Sequence, residues 1–194
     1  VEDLRGKRIG AYVGSGTHHL LVNTILPDYG LNPGDYELVD IELPDLVSAL
    51  AVGQISAFAA SDPIPVLAEV NEVGSILFDF SEYDPTPGFF IAERDWVEEN
   101  EEGVRRYMRA IHEANELYYS EPELVSRILA DFFEEVGQPL EQDVADRLVT
   151  HIEPSLYFMP GIEAYLTGLA EELVGDGIVR AVPDWEAILL TDLI

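Results

Sequence analysis

The sequence predicts an α/β protein whose second half turns almost wholly helical. Three observations predict this. Short β-rich runs alternate with helical patterns over residues 1 to about 80, the grammar of βαβ units around a mainly parallel sheet. A stretch rich in proline, Asp84-Pro85-Thr86-Pro87-Gly88, then interrupts the chain. Beyond it, apolar residues recur at helical spacing in successive segments.

The elements follow in order. Residues 8–13 are short and β-rich, and Gly14-Ser15-Gly16-Thr17 leads at once into an apolar helical stretch that runs to about Leu26. Residues 36–41 form a second expected strand. Pro44 stands where a first helical turn tolerates proline, Leu46, Val47, Leu50 and Ala51 make a helical stripe, and Gly53 ends it. Residues 55–60 are a third expected strand, 63–70 a short helix, and 76–80 a fourth strand. After the proline-rich stretch, residues 89–92 read as one more strand. Val104, Tyr107, Met108, Ile111 and Tyr118 then share a helical face. Leu124, Val125, Ile128, Leu129, Phe132, Phe133 and Val136 share another, which Gly137 closes. Val144 and Leu148 mark a third helix. A fourth, between Pro160 and Gly175, carries Ile162, Tyr165, Leu166, Leu169, Leu173 and Val174. Four helices with apolar faces and one strand to share read as the outer layer of a sheet.

Composition narrows the partners. The 194 residues carry 10 Lys plus Arg against 38 Asp plus Glu, a formal net charge of −28. Nucleic-acid affinity comes mainly from cationic side chains displacing phosphate counterions, so a field of this sign excludes it. Anionic membrane surfaces are disfavoured for the same reason. Lys7 is the single lysine beside nine arginines. An acidic chain that has also lost lysine has the composition expected in molar salt, where screening removes self-repulsion. Cysteine is absent, which rules out a disulfide framework, a thiolate metal site and a cysteine nucleophile. No apolar run approaches the roughly 20 residues that span a bilayer. The opening VEDLRGKRIG has no basic-then-apolar leader, so either a signal has been removed or the chain is a piece of a longer protein.

Two motifs carry chemistry. Gly14-Ser15-Gly16-Thr17-His18 follows a strand and opens a helix, where glycines permit a tight turn and the first N–H groups lack helical partners. With the Ser15 and Thr17 hydroxyls these donors would make a small anion site without any lysine. The plainer reading makes Ser15 an N-cap and the glycines a turn. The Gly-Lys-Ser/Thr ending of a nucleotide-phosphate loop is missing. Ser61-Asp62-Pro63 follows the third strand, at the strand end where open α/β sheets place ligands. Asp62 would accept a hydrogen bond from an amine or hydroxyl, or cap the helix that Pro63 begins. His18 and His19 are adjacent and cannot share a metal on a helix, so no metal site is expected. His112 and His151 read as surface or core-edge residues. The acidic runs 98–102 and 134–135 read as solvated helix ends. Ser15 and His18 lack an acid to orient the histidine, which gives nucleophilic catalysis little support.

Over nearly the whole chain the sequence resembles ABC-transporter solute-binding proteins of the nitrate, sulfonate, taurine and thiamine-pyrimidine type. The residues that carry the likeness are Leu4-Arg5-Gly6-Lys7-Arg8-Ile9-Gly10, Gly14 to Leu21, Pro44 with the run from Ala49 to Phe58, and Asp62-Pro63. Phe89-Phe90-Ile91-Ala92 with Arg94, and Val182-Pro183-Asp184-Trp185, extend it. Family members often have aromatics around the Asp62-Pro63 position, whereas here Ser61 precedes the pair.

The resemblance implies the type II periplasmic-binding-protein fold, two α/β lobes joined by crossing strands with the ligand in the cleft between. Members usually exceed 300 residues, so the chain reads as a C-terminal portion: residues 1–83 the second lobe, and 84–194 the crossover and the mainly helical return into the first. It implies an importer's binding component rather than an enzyme, with Ser15, Gly16, Thr17, His18, Ser61 and Asp62 lining the ligand site. The ligand would be a small anionic or polar solute, the protein-level partner an ABC permease, and no cofactor is expected. A monomer held outside the cytoplasm, lipid-anchored or periplasmic, completes the expectation. The alternative is a cofactor-biosynthesis enzyme on the same fold, of the thiamine-pyrimidine or menaquinone pathway. The pyrimidine synthases carry a cysteine-rich iron-binding stretch that a chain without cysteine cannot supply.

Overall fold

The computed structural model describes residues 1–84, 88–156, 160–175 and 177–189. Three parallel strands lie in the order β2-β1-β3, with β1 Arg8–Ala11, β2 Glu37–Asp40 and β3 Ala57–Ala59. Arg8 pairs with Glu37 and Ala11 with Asp40 on one side of β1; Ile9 pairs with Ala57 and Ala11 with Ala59 on the other. Alternation along β1 divides the core into two layers. Ile9 points into a cluster with Leu21, Leu26, Leu31 and Ala59. Gly10 faces the opposite cluster, where a Cβ would lie 2.7 Å from Ile55 Cδ1 and 3.0 Å from Leu46 Cδ2. Ile41, Leu46, Ala49 and Ile55 build that second layer.

The expected helices form, but the buried face of α3 joins Leu46 to Ala49, while Val47 and Leu50 are half-buried and Ala51 is exposed. α1 (Gly16–Leu20) runs on through a π segment (Leu21–Ile25) into α2 (Leu26–Asp28). The wider π turn carries Leu21 and Ile25, both buried. α3 (Leu46–Ala51) buries Leu46 and Ala49, and α4 (Ile64–Val70) buries Val66 and Ala68.

Contacts divide the chain into two compact units, Val1–Pro85 with Pro122–Ile152, and Thr86–Glu121 with Glu153–Ile194. This partition differs from a boundary at 83/84, because α7 (Pro122–Glu135) and α8 (Gln142–His151) group with the sheet. Their apolar stripes explain why. Val144 and Leu148 of α8 pack on Val66 of α4, with Leu129 of α7 beside them. Around this seam, Gln142 Nε2 donates to Ser126 Oγ at 2.7 Å and to Asp146 Oδ1 at 2.9 Å, and the buried Ser126 hydroxyl donates to Asp146. Arg147 reaches Glu69 at 3.0 Å, and Glu69 Oε1 also accepts the Ile76 N–H at 3.0 Å.

The other unit holds α5 (Arg94–Glu99), α6 (Glu101–Ser120), α9 (Ile162–Gly175) and α10 (Trp185–Ile188). Ile162, Leu166 and Ala170 form the buried stripe of α9. Trp185 Nε1 donates to Thr167 Oγ1 at 2.9 Å, and the Arg94 guanidinium donates to the Ala187 carbonyl. Tyr119 Oη donates to Pro154 O at 2.6 Å. α6 has the expected one-sided pattern, yet none of its residues is buried.

Two expected strands are absent among the described residues. Over residues 76–80 the backbone is diverted to side chains: the Ile76 N–H goes to Glu69, and Asp79 accepts the Ser81 N–H at 2.6 Å. Phe78 packs in the same stretch against Tyr29, Phe80 and Tyr83. Residues 89–92 lie outside the three-stranded sheet. Phe90 stacks edge-on against Tyr107 at 5.3 Å, and Ile91 is 92% exposed. Apolar β-rich residues make a strand only where a neighbour completes the ladder. Of the expected crossing at 81–88, residues 85–87 lie outside the described residues.

Candidate functional site

The C-terminal ends of β1 and β3, adjacent in the sheet, each open into a turn that carries expected site residues. After β1 the Val13 N–H is held by Asp40 Oδ1 at 3.0 Å, and Gly14 turns the chain at φ +93°, in the left-handed region that favours glycine. Ser15 then starts α1. Its Oγ accepts the His18 N–H at 3.1 Å, so the N-cap expected as the plainer reading is present. That bond occupies the His18 N–H, one of the first-turn donors expected at the site. The Gly16 and Thr17 N–H groups have no bond among the described residues. His18 Nδ1 accepts the Gly14 N–H at 3.3 Å, which places the proton of a neutral ring on Nε2, a donor turned away from the turn.

The second turn meets the first through hydroxyls. Thr17 Oγ1 lies 3.4 Å from Ser61 Oγ, across 44 residues of sequence. Ser15, Gly16, Thr17, His18 and Ser61 are thus brought to one edge of the sheet. Asp62 directly follows Ser61, but its carboxylate is turned toward α8: Oδ2 is 3.8 Å from His151 Nε2. α4 has no side-chain cap, so the capping role considered for Asp62 is not taken up.

Burial, the largest cause, pushes the Asp62 carboxyl above the ordinary carboxylate range; the charge of Asp79 adds to the rise, while His151 and Arg147 oppose it. Asp79 is held low, first by the Ser81 N–H and then by the Ser81 hydroxyl. Glu69 is held low chiefly by the Ile76 N–H, then by Arg147. His151, read from sequence as a surface or core-edge residue, therefore belongs to a charged group around Asp62. The sequence did hold a signal for it. Arg147 and His151 stand four apart, one helical turn, on the helix that Val144 and Leu148 mark. Among the described residues no cluster of His, Cys, Asp and Glu could hold a metal ion.

A family model described as NMT1/THI5 like matches residues 1–124. The chain belongs to that family. The periplasmic aliphatic sulphonate binding protein of Escherichia coli has the same fold as this NMT1/THI5-like chain. The TM-score is 0.77 at 23% identity, over 98% of this chain and 64% of that one. A protein of Brucella abortus named as a binding protein is 27% identical over 98% of this chain and 61% of its own length. The taurine-binding periplasmic protein of E. coli is 28% identical over 63% of this chain and 39% of its own. The NMT1/THI5-like chain thus spans 61% of the length of the curated Brucella relative it matches.

Proposed function

We propose that this chain is the solute-recognising part of an extracytoplasmic binding component of an ABC importer. Its solute is a small sulfonate or a similar polar anion, and a membrane permease receives it. In this reading 1–83 belongs to the second lobe, with α7 and α8 packed onto it, and the rest of 84–194 to the crossover and return; the protein is a monomer, and it is free in a periplasm or lipid-anchored.

One observation carries the assignment of the site: Thr17 and Ser61 hydroxyls meet at the C-terminal edge of adjacent parallel strands, the place where open α/β sheets receive ligands. The Gly16 and Thr17 N–H groups and the Ser15, Thr17 and Ser61 hydroxyls are neutral donors for sulfonate oxygens. A protein of charge −28 has no long-range pull on an anion, so capture depends on such local donors. Similarity to taurine- and sulphonate-binding proteins supports the solute class. Nothing in the turn favours catalysis. Ser15 Oγ accepts a backbone N–H, and His18 Nδ1 accepts another, so the pair lacks the nucleophile–base hydrogen bond that activation needs.

The test is titration calorimetry with ethanesulfonate and taurine on the wild type and on Thr17→Val and Ser61→Ala. Loss of a hydrogen bond to a charged group costs about 1.5–3 kcal/mol, about 10- to 150-fold in affinity. Affinity unchanged in both variants would remove this edge from the site.

A further inference from the structure

His151, at the core edge of α8, lies outside the set of donors described for the solute. Its place in the fold gives it a part in the same site. α8 is fastened along α4 by the Val66, Val144 and Leu148 cluster. Two side chains of α8, one turn apart, reach the last turn of α4 and the segment before it: Arg147 to Glu69 at 3.0 Å, and His151 to Asp62 at 3.8 Å. Asp62 is the residue after Ser61, whose hydroxyl meets Thr17. The Asp62 carboxylate has no hydrogen bond to any described residue, and its side chain is only 29% exposed. It therefore follows directly on one of the anion donors in sequence, with the His151 ring beside it and the Arg147 charge acting on it.

We infer that His151 is a positioning residue for anion capture: its protonated ring holds Asp62 toward α8 and neutralises it, so that solute affinity falls as the ring loses its proton. This rests on the site reading above. The charged neighbours are few. Asp62 faces His151 and Arg147 on α8, together with Asp79 on the segment after α4. His151 also acts on Glu69 and Asp79, and Glu69 is already paired with Arg147. Arg147 carries a guanidinium, a fixed cation, so it supplies a constant field. Removing the ring's charge leaves Asp62, Asp79 and Glu69 with one fixed cation, and an anion bound beside Ser61 then meets an uncompensated carboxylate. Burial adds to the cost of that bare charge, since a partly desolvated carboxylate is favoured in its neutral form.

The experiment is the affinity for ethanesulfonate between about pH 5 and about pH 8, the interval in which imidazoles titrate. The proteins are the wild type, His151→Gln and His151→Arg. For the wild type affinity should fall by roughly 3- to 10-fold as pH rises, the effect of one unit charge several ångströms away at a partly solvated edge. His151→Gln should bind weakly at every pH, and His151→Arg, whose charge is fixed, should bind tightly throughout. A flat wild-type profile, or a His151→Gln profile with the wild-type slope, overturns the inference. Thr17→Val separates the two claims: a pH-independent wild type that Thr17→Val still weakens leaves the site reading standing without the switch. If ethanesulfonate fails to bind or ignores Thr17→Val, the site reading itself falls. A measurement without ligand stands beside these. The Asp62 carboxyl, followed by carbon NMR, should titrate at higher pH in His151→Gln than in the wild type, and an unmoved titration overturns the pairing.

Discussion

Gly10 of β1 and Ile55, two residues before β3, stand so close that a Cβ on Gly10 would lie 2.7 Å from Ile55 Cδ1. Leu46 Cδ2 stands 3.0 Å from the same point, and both side chains are buried. The sheet and α3 are therefore seated on the missing methyl. Gly10→Ala should destabilise the protein by about 1–3 kcal/mol, the usual cost of overpacking. Ile55→Val alone should cost about 0.5–1.5 kcal/mol. Combined, the two should cost less than their sum, because the shorter side chain vacates the space the new methyl needs. Urea melts of the four proteins measure the coupling, and strict additivity would show that the contact does not decide the glycine.

A second expectation concerns Glu69, which accepts the Ile76 N–H and the Arg147 guanidinium. Glu69→Ala deprives a backbone donor of its partner and should cost about 1–2 kcal/mol. Glu69→Gln keeps an acceptor for Ile76 and loses only a partly exposed ion pair, so it should cost less than about 1 kcal/mol. Equal losses in chemical denaturation would mean that the charge, not the N–H bond, holds this segment.

The pH dependence has two opposed parts. Asp35, Glu69 and Asp79 are held below their ordinary values, in each case chiefly by a backbone N–H. Their contribution is complete above the unfolded carboxylate range and is lost as pH falls through the folded values. Asp62 is raised by burial, so its carboxylate weighs against folding above that range, and the penalty lifts as pH falls. Thermal melts should show stability declining on acidification, with Asp79→Asn shallower than the wild type. At neutral pH Asp62→Asn should melt at or above the wild-type temperature. A clear drop for Asp62→Asn would show that its pairing with His151 outweighs its burial.

Salt should act on the whole molecule. At −28 the folded chain repels itself in dilute buffer, where the screening length is about 10 Å at 0.1 M and about 3 Å at 1 M. The melting temperature should climb between dilute and molar potassium chloride. A flat response would mean that this charge is already offset locally, and would count against adaptation to high salt.

The three strands, the glycine turn and the long helices were legible because each leaves a local mark: β-branched runs, a Gly-Ser-Gly punctuation, stripes at helical spacing. Residues 76–80 and 89–92 carry the same local mark and form no strand, since pairing depends on a neighbour that no local pattern reports. Ser15 was legible as a cap from its position before an apolar run. The turn of Asp62 toward His151 was not, because it depends on α8 crossing α4, a contact between segments far apart in sequence. The grouping of residues 122–152 with the sheet was hidden for the same reason: a helical stripe shows that a face is buried and leaves open against what.

The brace that α8 places on α4 has a consequence for the order in which the molecule is made. Glu69 and its partner Arg147 are 78 residues apart, and Val66, wholly buried in the finished structure, owes part of its cover to Val144 and Leu148. Contacts of such long separation form late, after the loop between them has been closed against its entropy. A ribosome that has emitted the three described strands and α4 but not yet α8 therefore displays a nascent chain with Val66 still wet. Between those two moments the chain exposes apolar surface of the kind that makes incompletely folded proteins prone to aggregate.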